Sequence, residues 1–405
     1  MDLEHGPWKT EEYWVSHYHF LPEVREQLQL PPRVEFHDST LRDGEQSPGV
    51  VFSVEQKVEI AKMLDAAGFQ YIEAGFPPVS KADRDAISQI TSLGLKAKIT
   101  CLSRARAEDI QMAADCGVWG AILEVPGSVP RLKYQFGWSE DQVIKMTTAA
   151  VVLAKEKGIA PNIFIMDSPR AELSFLERLI TTVDREAGIE CVTLVDTSGC
   201  ITPRGMYYLV SQARGWTDRR IEVHCHNDFG MGVANSIAGV EAGARSVSGV
   251  ISGLGQRAGN APIEEVAWAV QALYGIPTGL DFARVYEVAL KVQEWSGWSF
   301  PPNKPVVGRN LFTWEAGIPT AALRKNPHTV EPFQPEIFGR KHDIILGKKA
   351  GRANVEFKLE ELGLEGPGEA GTEQLLEMVK AESVRLGRAL SDGEFESLYR
   401  QMENS

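Results

Sequence analysis

Eight short runs of β-branched or aliphatic residues recur along the chain, at 34–39, 71–77, 97–103, 120–126, 162–168, 191–197, 221–228 and 246–253. Stretches with helical spacing lie between them, at 53–67, 107–116, 140–157, 171–186, 204–214, 233–242 and 263–273. The first of these is the clearest. Ser53 and Gln56 form a capping-box pair, Val58, Ile60, Ala61, Leu64 and Ala67 make an apolar stripe, and Gly68 supplies a stop. Strands that alternate with helices pair in parallel, and eight such units close a barrel. The segment 33–290 is close to the roughly 250 residues typical of a (β/α)8 TIM barrel. An open doubly wound sheet would want a glycine-rich phosphate loop after the first strand. The stretch 38–49 is not one.

The rhythm fails at both ends. Residues 1–32 read as an N-terminal extension, with helix predicted over 8–30. Residues 291–405 read as a linker and a small α+β C-terminal subdomain. Its linker is the Trp- and Pro-rich stretch 295–305, and charged amphipathic helices are predicted at 353–363 and 373–402, separated by a glycine-rich loop at 364–371.

Charge narrows the partners. A net charge of −13 repels nucleic acid and anionic lipid, so neither is expected as a partner. The same field repels an anionic substrate unless local arginines or a metal reverse it. The five cysteines are scattered and show no C-x-x-C spacing, which suits reduced thiols in a cytoplasmic protein. The opening Met1-Asp2-Leu3-Glu4-His5 carries no leader pattern, and no run of about 18 apolar residues is present.

In a barrel of this kind chemistry sits where strands end and loops begin. Strand 7 carries His224-Cys225-His226, and period-two alternation aims both imidazoles at one face. Two imidazoles plus a carboxylate, with positions left open, suit a divalent transition metal. Asp43, after strand 1, is the natural third ligand, because strands 1 and 7 flank strand 8. Manganese, zinc and magnesium all remain possible. Arg42 beside it is the cation that would meet a substrate carboxylate or a developing enolate. Thr197 and Asn260 can alternatively be read as helix caps, and Glu45 and Asp228 as solvated charges.

Taken together, the segments 38–46, 72–77, 224–235 and 253–265, with an echo over 311–352, resemble the 2-isopropylmalate, homocitrate and citramalate synthases. More distantly they resemble 3-hydroxy-3-methylglutaryl-CoA lyase. The resemblance implies Asp43, His224 and His226 as metal ligands with Asn260 close by, Arg42 as the residue stabilising enolate charge, and Gln46 and Thr197 as contacts to a 2-oxo acid. It implies acetyl-CoA or another acyl-CoA as co-substrate and a homodimer in which the C-terminal segment helps to close the site. Glu73, Phe76, Ser103, Arg104, Glu124 and Pro126, at the ends of strands 2 to 4, should wall the pocket, and Glu124 and Arg104 could read a polar substituent.

The departures fall on acid–base positions. The synthases carry Glu-Asp-Ala-x-Arg after strand 5; this chain reads Met166-Asp167-Ser168-Pro169-Arg170. They carry His-x-x-Gly-Ile-His in the C-terminal segment; here it is Trp314-Glu315-Ala316-Gly317-Ile318-Pro319. A Thr-Tyr-Glu becomes Thr329-Val330-Glu331. Met, Trp, Pro and Val cannot exchange protons. The half of the site that takes metal and 2-oxo acid is therefore read as intact, and the half that activates acetyl-CoA as rebuilt. Asp167, His328 or His342 are candidates for a displaced base. The sequence leaves three readings: a condensing enzyme, a metal-dependent aldolase or lyase that needs no acyl-CoA, and an inactive metal-binding partner subunit.

Overall fold

Residues 3–404 are described by a computed structural model, in which Met1, Asp2 and Ser405 lie outside the description. The eight runs fold as β1 (Glu35–Asp38), β2 (Tyr71–Glu73), β3 (Lys98–Arg104), β4 (Gly120–Pro126), β5 (Ala160–Met166), β6 (Cys191–Asp196), β7 (Arg220–Cys225) and β8 (Ser246–Gly249). They close in sequence order into a parallel barrel, and β8 returns to β1 through Glu35↔Ser246 to Asp38↔Gly249. β6 and β7 are buried along their whole length, because both faces are covered; in β7 apolar Ile221, Val223 and Cys225 alternate with Arg220, Glu222 and His224.

A short turn, α1 (Pro22–Arg25), precedes the barrel, and helices follow each strand. These are α2 (Val54–Ala67), α3 (Lys81–Ser92), α4 (Ala107–Asp115), α5 (Glu140–Glu156), α6 (Leu173–Ala187), α7 (Pro203–Arg214), α8 (Gly232–Glu241) and α9 (Ile263–Tyr274). A further helix, α10 (Phe282–Ser296), follows. The helix between β2 and β3 is absent from the sequence reading. Only Ala86, Ile87 and Ile90 of α3 are buried, so its apolar stripe is short, although Ser80 caps it. The predicted capping box of α2 is present, and Gly68 ends the helix at φ 94°. The predicted helix over 8–30 is corrected: a bridge pairs Lys9 with Trp14, and helical turns are limited to His17–Phe20 and α1. Pro22 sits at the start of α1 and can only begin a helix.

The barrel interior below the mouth is polar, with Glu222 at the centre of a hydrogen-bonded cluster. Glu222 receives Ser246 Oγ at 2.7 Å and Thr193 Oγ1 at 2.9 Å, and lies 3.2 Å from His37 Nδ1. His37 Nε2 meets Thr100 Oγ1 at 2.9 Å. Burial opposes the charge on Glu222, but His37 and Arg220 outweigh it and hold the carboxyl below its usual range.

The chain divides into two compact units, Ser16–Phe300 and a second unit made from the N-terminal segment up to Val15 with Pro301 onward. The second unit holds α11 (Gly317–Leu323), α12 (Arg352–Leu362), α13 (Gly368–Leu386) and α14 (Asp392–Glu403). Leu359, Leu375, Val379, Phe395 and Tyr399 form its core. The single helix predicted over 373–402 is two helices. Gly387 stops α13 in the left-handed region at φ 68°, and Ser391 opens α14 with a capping box to Glu394. The stretch 364–371, predicted as loop, gives its last residues to the start of α13.

Candidate active site at the barrel mouth

After β1 the backbone folds back on itself. The Ser39 carbonyl accepts the N–H groups of Arg42 at 3.2 Å, Asp43 at 2.8 Å and Gly44 at 3.1 Å. Asp38 fixes the turn by accepting the Thr40 N–H at 2.9 Å and its hydroxyl at 2.8 Å. Burial pushes the Asp38 carboxyl up to about 7 despite those bonds. The turn presents Arg42 and Asp43, both buried. On the other side of β8, His224 lies near the end of β7, and His226 continues past the strand in a bridge with Asn260.

One ligand atom from each of Asp43, His224 and His226 lies within 4.8 Å of the others. Asp43 Oδ2 is 3.0 Å from His224 Nε2 and 3.7 Å from His226 Nε2. His224 Nε2 is buried and has no partner in the protein other than Asp43. The far nitrogens are committed: His224 Nδ1 to Ser248 Oγ at 2.9 Å, His226 Nδ1 to the Gly259 carbonyl at 3.3 Å. A carbonyl can only accept, so His226 carries its proton on Nδ1 and turns the Nε2 lone pair toward Asp43. Asn260 contributes a buried Oδ1 with no partner, while its Nδ2 donates to the Leu254 carbonyl at 3.0 Å. One carboxylate, two imidazole nitrogens and an orphaned amide oxygen fit a divalent cation. Burial holds His226 down at about 4, so it is neutral near pH 7. Burial opposes ionisation of Asp43, but the Arg42 guanidinium beside it outweighs burial and keeps the carboxyl below its usual range.

Arg42 is clamped by Glu73, which takes its Nε at 2.7 Å and also accepts from Ser39 Oγ. Its Nη1 lies 3.4 Å from Asp43, and its Nη2 is buried with no partner. Thr197 does not cap a helix; Thr202 caps α7, and Thr197 Oγ1 accepts the Asp167 N–H at 2.9 Å. Nor does Asn260 cap α9, whose N-cap is Pro262. Asp167 is held by Arg170, whose Nη2 is 2.7 Å away, and adopts φ 61°. Gln46 accepts from Gln256 Nε2 at 3.0 Å on the exposed rim. Glu45 pairs with Lys57 at 2.5 Å and Asp228 with Arg257 at 2.8 Å. Arg104 gives its guanidinium to Asp109, at 2.6 and 2.8 Å. Glu124 lines a cavity of about 280 Å³ together with Arg104, Pro126, Phe136, Trp138 and Met166. Met166 itself packs with Leu102, Ile122, Phe164 and Val195 in an apolar cluster against Phe76 and Phe136.

In the second unit, Glu331 accepts the Trp314 indole N–H at 2.6 Å and lies 2.7 Å from His342 Nε2. Trp314, standing where the resemblance would place a histidine, is thus tied to a buried carboxylate. Hydrogen bonding to Glu331 raises His342, against the effect of burial. The His328 ring meets the Trp14 ring edge-on at 6.3 Å, and its Nε2 lies 3.4 Å from Gln334 Nε2.

Sequence reasoning missed Ser248 and Gly259, which orient the two imidazoles. Ser246 and Ser248 alternate along β8, which marks one inward face, but their partner cannot be read without the register His224↔Ser248. Gly259 sits at φ 82°, and a Cβ there would overlap the Gly253 carbonyl oxygen, so only glycine fits.

Residues 33–292 match the HMGL-like family, and residues 306–385 match the homocitrate synthase post-HMGL domain-like family. The chain belongs to the HMGL-like family. It is 44% identical to a homocitrate synthase of Methanopyrus kandleri, over 95% of this chain and 97% of that one. It is 41% identical to a 2-isopropylmalate synthase of Methanocaldococcus jannaschii, over 88% of this chain and 68% of the relative. An (R)-citramalate synthase of the same organism is 39% identical, over 91% and 74%. Among solved structures, hydroxymethylglutaryl-CoA lyase of Pseudomonas aeruginosa shares the fold, with a TM-score of 0.61 at 20% identity. That match covers 70% of this chain and 98% of the lyase. No helix among the described residues is long and apolar enough to cross a membrane.

Proposed function

We propose that this chain is a metal-dependent condensing enzyme that joins a small 2-oxo acid to the enolate of an acyl-CoA, with Asp43, His224 and His226 holding a divalent ion and Asn260 beside it. The observation that carries the reading is the buried ligand trio beside Arg42, whose Nη2 has no protein partner. The names of the relatives, all synthases of that kind, support it. A bound ion would supply Lewis-acid polarisation of the ketone. Arg42, held in place by Glu73, turns its spare N–H toward negative charge that develops during the reaction. Thr197 accepts the Asp167 N–H and so keeps its own hydroxyl proton for a substrate carboxylate. Gln46 lies on the rim as a second polar contact.

In this reaction the acyl methyl loses a proton, the resulting carbon attacks the keto carbon, and the alkoxide so formed is protonated. Water then cleaves the thioester and frees CoA thiol. The barrel over 33–290 is the catalytic part in this reading, and 291–405 supports it in a cytoplasmic homodimer. Mixing the protein with Mn²⁺, acetyl-CoA and a panel of 2-oxo acids should release free thiol in a 2-oxo-acid-dependent manner. Thiol release equal to the acetyl-CoA blank across 2-oxoisovalerate, 2-oxoglutarate and pyruvate would refute the function.

A further inference from the structure

The mouth is rich in carboxylates, and nearly all are committed. Asp43 faces the two imidazoles, Glu73 holds Arg42, Asp109 holds Arg104, and Asp167 holds Arg170. Asp196 accepts the Cys200 N–H at 2.9 Å. Glu124 is the exception: among the described residues, no hydrogen bond or ion pair engages its carboxylate.

Strand register decides where Glu124 points. Pro126 of β4 pairs with Met166 of β5, and Glu124 pairs with Phe164. Ile122, Phe164 and Met166 lie in the apolar cluster, so alternation puts Glu124 on that same inward face, one residue pair deeper than Met166. Met166 occupies the position where the synthase motif would place a glutamate. A carboxylate therefore remains beside that position, carried by the neighbouring strand.

We propose that Glu124 is the catalytic carboxylate that takes the proton from the acyl methyl of the thioester. This rests on the condensing function proposed above. The C–H bond breaks, its proton passes to Glu124, and the electron pair becomes the enolate. The enolate carbon bonds to the keto carbon of the 2-oxo acid, and Glu124 returns the proton to the alkoxide oxygen, ending as the carboxylate it began as. No oxidant or further reactant is needed before water cleaves the thioester.

The surroundings suit the task. The cavity of about 280 Å³ beside Glu124 is walled by apolar Phe136, Trp138 and Met166 and also by Arg104, Arg106 and Gln135, which leaves room for an acyl group next to the carboxylate. The charged groups facing Glu124 are Arg42 and Asp43 after β1, Glu73 on β2, Arg104 on β3 and Arg131 in the turn after β4; β5 offers apolar Phe164 and Met166. Burial raises the Glu124 carboxyl, against the pull of Arg42 and Arg131. A carboxylate made more basic by desolvation is a better proton acceptor than an exposed one.

The test compares Mn²⁺-loaded wild type, Glu124→Gln and Glu124→Asp. Four quantities are read: thiol release with acetyl-CoA and the 2-oxo acid used by the wild type, deuterium wash-in from D2O to the acetyl-CoA methyl, Mn²⁺ content, and calorimetric binding of the 2-oxo acid. Glutamine matches the shape of a side chain that makes no hydrogen bond, so the fold should persist. The expected result is a kcat loss of about 100-fold or more in Glu124→Gln, loss of deuterium wash-in, unchanged Mn²⁺ and 2-oxo acid binding, and partial recovery in Glu124→Asp. The wild type should also show an acidic limb in kcat/KM above the usual carboxylate range, which Glu124→Gln abolishes. Turnover of Glu124→Gln within about threefold of wild type would overturn the assignment, as would a raised KM for the 2-oxo acid at unchanged kcat, which would make Glu124 a pocket wall. Absence of thiol release by the wild type would overturn the condensing function, and this assignment with it.

Discussion

Replacing Ser248 by alanine tests whether the orientation of His224 matters as much as its presence. The hydroxyl lies 2.9 Å from His224 Nδ1, and the two residues are 2% and 0% exposed. Alanine leaves that imidazole nitrogen buried without a partner, which costs about 1–3 kcal/mol. His37, the β1 partner of Ser248, is not free to step in, because it is engaged by Glu222 and Thr100. The ring is then free to change tautomer or rotate, and metal binding must restore the lost order. Loss of a partner of this kind typically weakens metal affinity about 10–100-fold, equivalent to about 1.4–2.8 kcal/mol. The two estimates agree. Competition of Ser248→Ala and wild type against a chromophoric chelator for Zn²⁺ or Mn²⁺ measures the difference directly. An affinity within about twofold of wild type, in a variant with an unaltered circular dichroism spectrum, would refute the argument that Ser248 sets the site.

His226→Ala should lose the metal and the activity while the barrel stays folded; full metal occupancy by elemental analysis would remove His226 from the ligand set. The His342–Glu331 pair should make stability pH-dependent in a fixed direction. A raised histidine stabilises fully below its unfolded value near 6.5 and loses that contribution as pH rises through the folded value. The Tm gap between wild type and Glu331→Gln, which keeps an acceptor for Trp314, should therefore be widest at acidic pH; a gap that widens as pH rises contradicts the pairing. Light scattering should give about twice the 44.7 kDa chain mass, in keeping with a symmetric dimer, and a clean monomer at micromolar concentration would refute that expectation.

What the sequence shows and what it hides follows from the range of the interactions. His224 and His226 are legible because alternation along one strand is local. Asp43 becomes legible once eight units imply closure, since closure alone brings β1 round to β8 beside β7. The clamp of Glu73 on Arg42 and the bond from Ser248 to His224 are hidden. Each links side chains on different strands, through registers that no local pattern encodes. The same holds for Glu124, whose part depends on sitting beside Met166 across the β4–β5 pairing. The break between α13 and α14 was available locally, in Gly387 and the Ser391–Glu394 capping box, but a continuous amphipathic pattern on both sides masked it. Residues 8–30 show the opposite case: polar, aromatic sequence reads as helix, yet Trp14 is held by a backbone bond to Pro332, far along the chain.

The central claim is that Asp43, His224 and His226 hold a metal at which a 2-oxo acid is joined to an acyl group from CoA. Mass spectrometry of the product, formed with Mn²⁺, acetyl-CoA and each 2-oxo acid in turn, tests it most directly. The account predicts a hydroxy acid larger than the 2-oxo acid by two carbons, one of them a new carboxyl group, formed one for one with free CoA thiol and abolished by chelation of the metal. A product no larger than the 2-oxo acid, or condensation that survives complete removal of the metal, would contradict it.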